Sequence, residues 1–219
     1  MKAASKNILK QLQEKYPALT DCINDIAKAS EIICESYRRG GKLLICGNGG
    51  SASDSLHIVG ELMKSFVLSR PIDDVTKQNL AACAGEDADL LCQNLQGALP
   101  AIALVNETSL TTAYSNDVAP DLIFAQQVLG YGTAGDVLLG ISTSGNSRNV
   151  ALAAKVARAK GVSVISLTGE GGGKLKALSD VTVAVPLRET YQIQELHLPV
   201  YHALCLIIEQ EFFGASEEA

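Results

Sequence analysis

The chain of 219 residues has no tryptophan, two methionines, three histidines and only 5% aromatic residues, while 47% of it is hydrophobic and 19% charged. That is the composition of an ordinary globular protein rather than a disordered or fibrous one, and one domain is the expected count. It lacks an excess of positive charge. Eighteen Lys and Arg against 24 Asp and Glu leave a net charge of −6, which argues against nucleic acid as a partner. The six cysteines (22, 34, 46, 83, 92 and 205) contain no C-x-x-C pair and mostly sit in apolar stretches, so a zinc finger or a disulfide framework is disfavoured. Nowhere do 18 apolar residues run together, and the mixed polar stretch 1–15 has no apolar signal core. No membrane association and a cytoplasmic location are expected, which makes the Asn106-Glu107-Thr108 sequon an accident.

What is present is a rhythm. Residues 3–15 and 21–38 carry apolar positions at helical spacing, including Ile8, Leu12, Ile23, Ile26, Ile32, Ile33 and Tyr37, and Gly40-Gly41 closes the second segment. Short apolar runs follow at 42–46, 101–106, 136–142, 162–168 and 181–185, each ending in a turn cluster and leading into a helical segment. Runs without polar alternation, separated by helices, are strands buried on both faces, so the sheet is predicted to be parallel and doubly wound. The stretch 69–100 breaks the rhythm as a polar, acidic excursion expected to hold helices or a lid. Residues 192–213 form an apolar helix that Pro199 should kink or begin, and 215–219 read as a frayed acidic tail. The organisation expected is thus N-terminal helices over 1–40, a domain over 41–214 with 69–100 inserted, and the tail. The four isoleucines of the second helix exceed what a monomer's outer layer needs, which predicts a helix bundle between subunits.

Two loops carry phosphate-scale chemistry. The first strand runs into Gly47-Asn48-Gly49-Gly50-Ser51-Ala52 before a helix over about 53–66, where glycines admit a ligand to backbone N–H groups at a helix N-terminus. These letters also fit the dinucleotide fingerprint G-x-G-x-x-A, but the acid required at the end of the second strand would have to be Asp73 or Asp74, in the polar excursion. The third strand ends in Ser142-Thr143-Ser144-Gly145-Asn146-Ser147 ahead of a helix to about 160. A helix cap needs one hydroxyl and this loop offers four, the cradle expected for a phosphomonoester. Neither loop ends in Gly-Lys-Ser/Thr, so a P-loop is excluded.

The three histidines are 57, 197 and 202. His57 precedes Glu61 by one helical turn on the helix that leaves the glycine turn, and Gln194, Leu198 and His202 step by four along the last helix. Taken alone, a His-Glu pair at this spacing is more often a surface pair than a ligand pair. Two such pairs on different helices can also build a nitrogen and oxygen site for a divalent metal. His197 is offset around its helix and is read as structural.

At Gly47-Asn48-Gly49-Gly50-Ser51 and Gly140-Ile141-Ser142-Thr143-Ser144-Gly145-Asn146-Ser147 the chain resembles the sugar isomerase (SIS) domain proteins, and among them the phosphoheptose isomerases. The likeness continues through Asn116-Asp117, Leu167-Thr168-Gly169, Gly172-Gly173 and Ile193-Gln194-Glu195-Leu196-His197. It implies an α/β three-layer sandwich around a five-stranded parallel sheet of flavodoxin-like order, a homotetramer cored by the N-terminal helices, and active sites between subunits. It implies interconversion of sedoheptulose 7-phosphate and D-glycero-D-manno-heptose 7-phosphate. It further implies that Ser51, Ser142, Thr143, Ser144 and Ser147 hold the phosphate and that Asn48, Gly49, Gly50, Asn116 and Asp117 line the sugar site. His57, Glu61, Gln194 and His202 match zinc-binding positions, with Glu61 and His202 also the catalytic acid/base pair. Such a pair suits aldose-ketose isomerisation, which needs a base near a carbon acid and a proton donor near the carbonyl oxygen.

The chain departs from the family pattern in the length of 69–100, in Tyr191 and Gln192 ahead of the glutamine, and in Ser65, where an arginine is common. These departures bear on substrate identity. The alternative is a non-catalytic SIS protein, a phosphosugar sensor or a replication-initiator-associating protein, and a further one is an isomerase of another phosphosugar. The initiator-associating relatives lack the full His57, Glu61, Gln194, His202 set, which favours the enzyme.

Overall fold

The computed structural model describes residues 1–215. Helices α1 (Ala3–Lys15) and α2 (Ile23–Arg38), joined by a 3-10 turn at Pro17–Cys22, precede strand β1 (Leu43–Gly47) and helix α3 (Gly50–Met63). Helices α4 (Asp74–Cys83) and α5 (Ala88–Asn94) lead to β2 (Ala101–Ala103), and α6 (Thr108–Asp117) and α7 (Ile123–Tyr131) to β3 (Val137–Ser142). Helix α8 (Arg148–Ala159), β4 (Ser163–Thr168), β5 (Val181–Ala184) and α9 (Thr190–Phe213) complete the chain.

The five strands form one parallel sheet in the order β2-β1-β3-β4-β5, with Leu43 facing both Ala101 and Val137 in register. Side chains alternate between the two faces of each strand. Leu43, Ile45, Leu139, Ile141 and Ile165 pack under α1, α2, α3 and α9, whereas Leu44, Cys46, Leu138 and Val164 pack on α7 and α8. Both faces are covered, so the strands need no polar side, as their continuous apolar runs imply. In this order the chain reverses direction across the sheet between β1 and β3, and doubly wound sheets bind ligands at the carboxyl ends flanking such a switch point. The β1–α3 and β3–α8 loops both lie there.

Several expectations need correction. The second strand stops at Ala103, and α3 begins at Gly50 rather than near residue 53. Asp73 does not end a strand: its carboxylate caps α4 by accepting from the Thr76 backbone N–H at 2.9 Å, which removes the dinucleotide fingerprint's acid. Pro199 lies inside α9 and does not begin it. Ile26 and Ile33 of α2 are buried within the chain, and Ile23 and Ile32 are half-buried against the same core. Part of the apolar face of α2 is thus spent inside one chain, while Ile23 and Ile32 keep partly exposed surface. The excursion does hold two helices, α4 and α5, and neither buries a residue. Residues 216–219 of the expected tail lie outside the described residues. Among the described residues no helix is long and apolar enough to cross a membrane.

Candidate active site

The glycine turn is shaped by close approach. A Cβ on Gly47 would sit 2.7 Å from that of Ser51, and Gly49 takes φ +56° as it hands the chain to α3. Ser51 is buried at the start of the helix, and Asn48 exchanges two amide hydrogen bonds of 2.9 Å with Asn149 at the start of α8, tying the two loops together. In the serine loop the Ser142 and Ser147 hydroxyls meet at 2.9 Å, and the Asn146 backbone N–H donates to Ser144 Oγ at 3.1 Å. Gly145 has φ +64°, and a Cβ there would fall 2.1 Å from the Gly172 carbonyl oxygen. The loop is braced from behind, Gly169 N–H donating to Thr143 O and Leu175 N–H to Gly145 O. Hydroxyls and helix N-termini thus converge at the switch point, the chemistry of an anion cradle.

Of the histidines, His57 sits further along α3, away from that cradle, and His197 and His202 lie on α9. Helices α3 and α9 run side by side in parallel, so that Gln194 lies against Gly50, where a Cβ would be 2.5 Å from its Nε2, and Tyr201 and His202 lie against His57. His57 Nε2 is 3.1 Å from Glu61 Oε1, His57 Nδ1 is 3.0 Å from the Tyr201 hydroxyl, and the His57 and His202 rings stand edge to face with centroids 5.1 Å apart. Glu61 also accepts from Lys64 Nζ at 3.1 Å. Phe66 and Tyr201 pack on the His202 ring at 5.6 and 5.0 Å. The buried Nε2 of His202 has no hydrogen-bond partner. Burial lowers the His202 pKa and the neighbouring His57 lowers it further, against Glu61, so the ring is held neutral. Burial raises the carboxyl pKa of Asp54, one turn before His57, more than Tyr201 and His57 lower it. Burial and the nearby Asp54 likewise push the Tyr201 hydroxyl up.

The structure brings His57, Glu61 and His202 together but leaves Gln194 at the glycine turn. Glu61 lies eleven residues beyond Gly50, about 16 Å along the helix axis at 1.5 Å per residue. Asn116 and Asp117 pair with each other at 2.8 Å on the exposed end of α6. Tyr191 and Gln192 likewise hydrogen-bond to each other at the start of α9. Among the described residues no three His, Cys, Asp or Glu side chains form a group that could hold a metal. The four zinc positions therefore do not fit one ion within a single chain: one donor is two turns away, and both His57 nitrogens are engaged. His197 is buried with no well-formed hydrogen bond at either ring nitrogen, in keeping with a structural role. Asp54 and Tyr201 were not anticipated. Asp54 shares a helix face with His57 and Glu61 at i, i+3 and i+7, a signal available in the sequence, whereas Tyr201 becomes visible only from the pairing of α3 with α9.

A doubly wound parallel sheet whose switch point carries a serine cradle and a glycine turn defines a sugar isomerase (SIS) domain, and family models described as SIS domain match residues 101–207 and 3–86. The chain is 36% identical over 209 residues to a phosphoheptose isomerase of Akkermansia muciniphila, covering 95% of this chain and 97% of that one. It is 42% identical over 191 residues to one from Rhodospirillum rubrum, covering 87% and 88%. The structure of the phosphoheptose isomerase of Neisseria gonorrhoeae matches with a TM-score of 0.70 at 34% identity, covering 95% of this chain and 94% of that one. The chain belongs to the phosphoheptose isomerase family.

Proposed function

We propose that this protein interconverts sedoheptulose 7-phosphate and D-glycero-D-manno-heptose 7-phosphate through an enediol. The observation that carries this reading is the cluster of Glu61, His57 and His202 on paired helices, in a chain whose serine loop is built for a phosphomonoester. Family membership supplies the substrate. Ser51, Ser142, Thr143, Ser144 and Ser147 hold the phosphate, while Asn48, Gly49, Gly50, Asn116, Asp117 and Gln194 line the sugar. Glu61 and His202 divide the proton transfers: a carboxylate takes the proton from the carbon acid, and the neutral imidazole with its free Nε2 moves a proton between the two oxygens.

The distance between Gly50 and Glu61 supports a composite site, in which the serine loop and Gln194 of one chain face the His57, Glu61 and His202 of a second copy. A homotetramer, as the family resemblance implies, provides that arrangement. The zinc set would be complete only if Gln194 came from a second copy, so no step here is routed through a metal. Composition supports a cytoplasmic location. Incubating the purified protein with sedoheptulose 7-phosphate and following the aldose product tests the function. Conversion of this substrate in preference to pentose or amino-sugar phosphates is expected, and no conversion would overturn the assignment.

A further inference from the structure

Arg70 and Glu209 form an ion pair of 2.7 Å with both side chains closed to solvent, one on the loop after α3 and the other near the end of α9. Burying two charges costs desolvation that their attraction barely recovers, so such a pair is poorly accounted for by stability alone. Its remaining hydrogen bonds are directed at the catalytic cluster. Arg70 Nη2 donates to the Glu61 carbonyl at 3.0 Å and Nη1 to the Leu62 carbonyl at 2.8 Å. These are last-turn carbonyls of α3, which have no partner within the helix, and a cation there also opposes the helix dipole. Leu62 O also accepts the Leu99 N–H at 3.0 Å, so among these contacts the Glu61 carbonyl itself is held by the guanidinium.

Glu209 accepts the backbone N–H groups of Phe66, Val67 and Leu68 at 2.8, 2.9 and 3.1 Å. Burial pushes its carboxyl pKa up, but these donors and Arg70 outweigh burial and hold it below the usual value. The same carboxylate thus fixes the loop whose Phe66 ring packs on His202. Phe213 lies 4.8 Å under the Arg70 guanidinium, and Gly97 N–H, where the chain returns from the inserted helices, donates to the Arg70 carbonyl at 2.6 Å.

We infer that the buried Arg70–Glu209 pair is a positioning device for the reaction: Arg70 closes the helix turn that carries Glu61, and Glu209 fixes the loop that holds Phe66 against His202. It rests on the assignment of Glu61 and His202 as the acid/base pair. Neither residue of the device touches substrate, and the phosphate cradle lies elsewhere, so its loss should act on turnover rather than binding.

The test compares Arg70→Lys, which keeps a charge beside Glu209 but loses the fork to the two carbonyls, with Asp136→Asn. The latter breaks a second ion pair, Lys42 Nζ to the buried Asp136 at 2.7 Å, at the amino-terminal ends of β1 and β3, where among the described residues the Asp136 carboxylate bonds only Lys42 and Thr133 and nothing on α3, α9 or the loop after α3. Both variants should melt below the wild type. Arg70→Lys should lower kcat about 10- to 100-fold, as small misplacements of catalytic groups do, with KM for sedoheptulose 7-phosphate within about twofold of wild type. Asp136→Asn should leave kcat unchanged. A wild-type kcat in folded Arg70→Lys, or an equal loss in both variants, would overturn the inference. Should Arg70→Lys fail to fold, Glu209→Gln, which keeps shape and acceptor but removes the charge, takes its place in the same comparison. Glu61→Gln separates the two levels. An active Glu61→Gln means that the acid/base assignment is wrong, whereas an inactive one beside an unaffected Arg70→Lys means that only the positioning role is wrong.

Discussion

Replacing His197 by leucine should flatten the acid side of the stability curve. The ring is 0% exposed, and neither nitrogen has a well-formed hydrogen bond, the Thr168 backbone being the polar group beside it. Burial pushes its pKa from 6.5 to about 4, against a smaller opposing effect of the Thr168 backbone. Because the folded pKa is the lower one, the unfolded chain takes up the proton first. The contribution is whole above pH 6.5, declines as the pH falls below that value and is fully lost by about pH 4. At 1.36 kcal/mol per unit the whole gap is worth about 3 kcal/mol, of which about 2 kcal/mol is gone at pH 5. Ordinary carboxylates stay mostly ionised in both states down to pH 5, and the raised Asp54 carboxyl is shared by both proteins, so the difference between them reads His197. His202 shifts in the same direction, and its share remains in the variant. The assay is urea unfolding at both pH values and one protein concentration, since any assembly makes stability concentration-dependent. The wild type should lose about 2 kcal/mol more than His197→Leu between pH 7 and 5. Equal losses would mean that His197 titrates normally in the folded state, and would refute the buried neutral ring.

Further outcomes are expected at the two loops and the cluster. Ser142→Ala with Ser144→Ala should weaken substrate binding by about 1–3 kcal/mol from lost hydrogen bonds to a charged group, read as a raised KM. Gly145→Ala combines a positive φ worth about 1–2 kcal/mol with a Cβ driven into the Gly172 carbonyl, so it should cost both melting temperature and KM. Tyr201→Phe removes the hydroxyl at His57 Nδ1 and should lower kcat with KM nearly unchanged; an unaltered kcat would show that His57 needs no such partner. Mixing Glu61→Gln with the Ser142→Ala, Ser144→Ala variant should regenerate sites with the wild-type KM if sites lie between chains, and no such activity would place each site within one chain.

The strands were legible because runs such as 43–46 and 137–141 are apolar without alternation, as in a doubly covered parallel sheet. The serine loop and the His57–Glu61 spacing were legible for the same local reason: each lies within one loop or one helix face. Legibility ended where chemistry depends on the pairing of distant segments. That Tyr201 rather than Gln194 meets His57 follows from the parallel register of α3 and α9. That α9 and the sheet cover Ile26 and Ile33 of α2 within one chain is likewise not revealed by the sequence. Arg70 and Glu209, 139 residues apart, gave no sign of pairing at all.

The most direct measurement follows solvent deuterium into the sugar by proton NMR, with sedoheptulose 7-phosphate in D2O and purified wild-type or Glu61→Gln protein. The wild type should interconvert ketose and aldose and place deuterium at the carbons flanking the enediol. Glu61→Gln, folded and still binding the phosphate, should do neither. Exchange at the wild-type rate in Glu61→Gln, or no exchange by the wild type, would contradict an enediol isomerase built on this carboxylate.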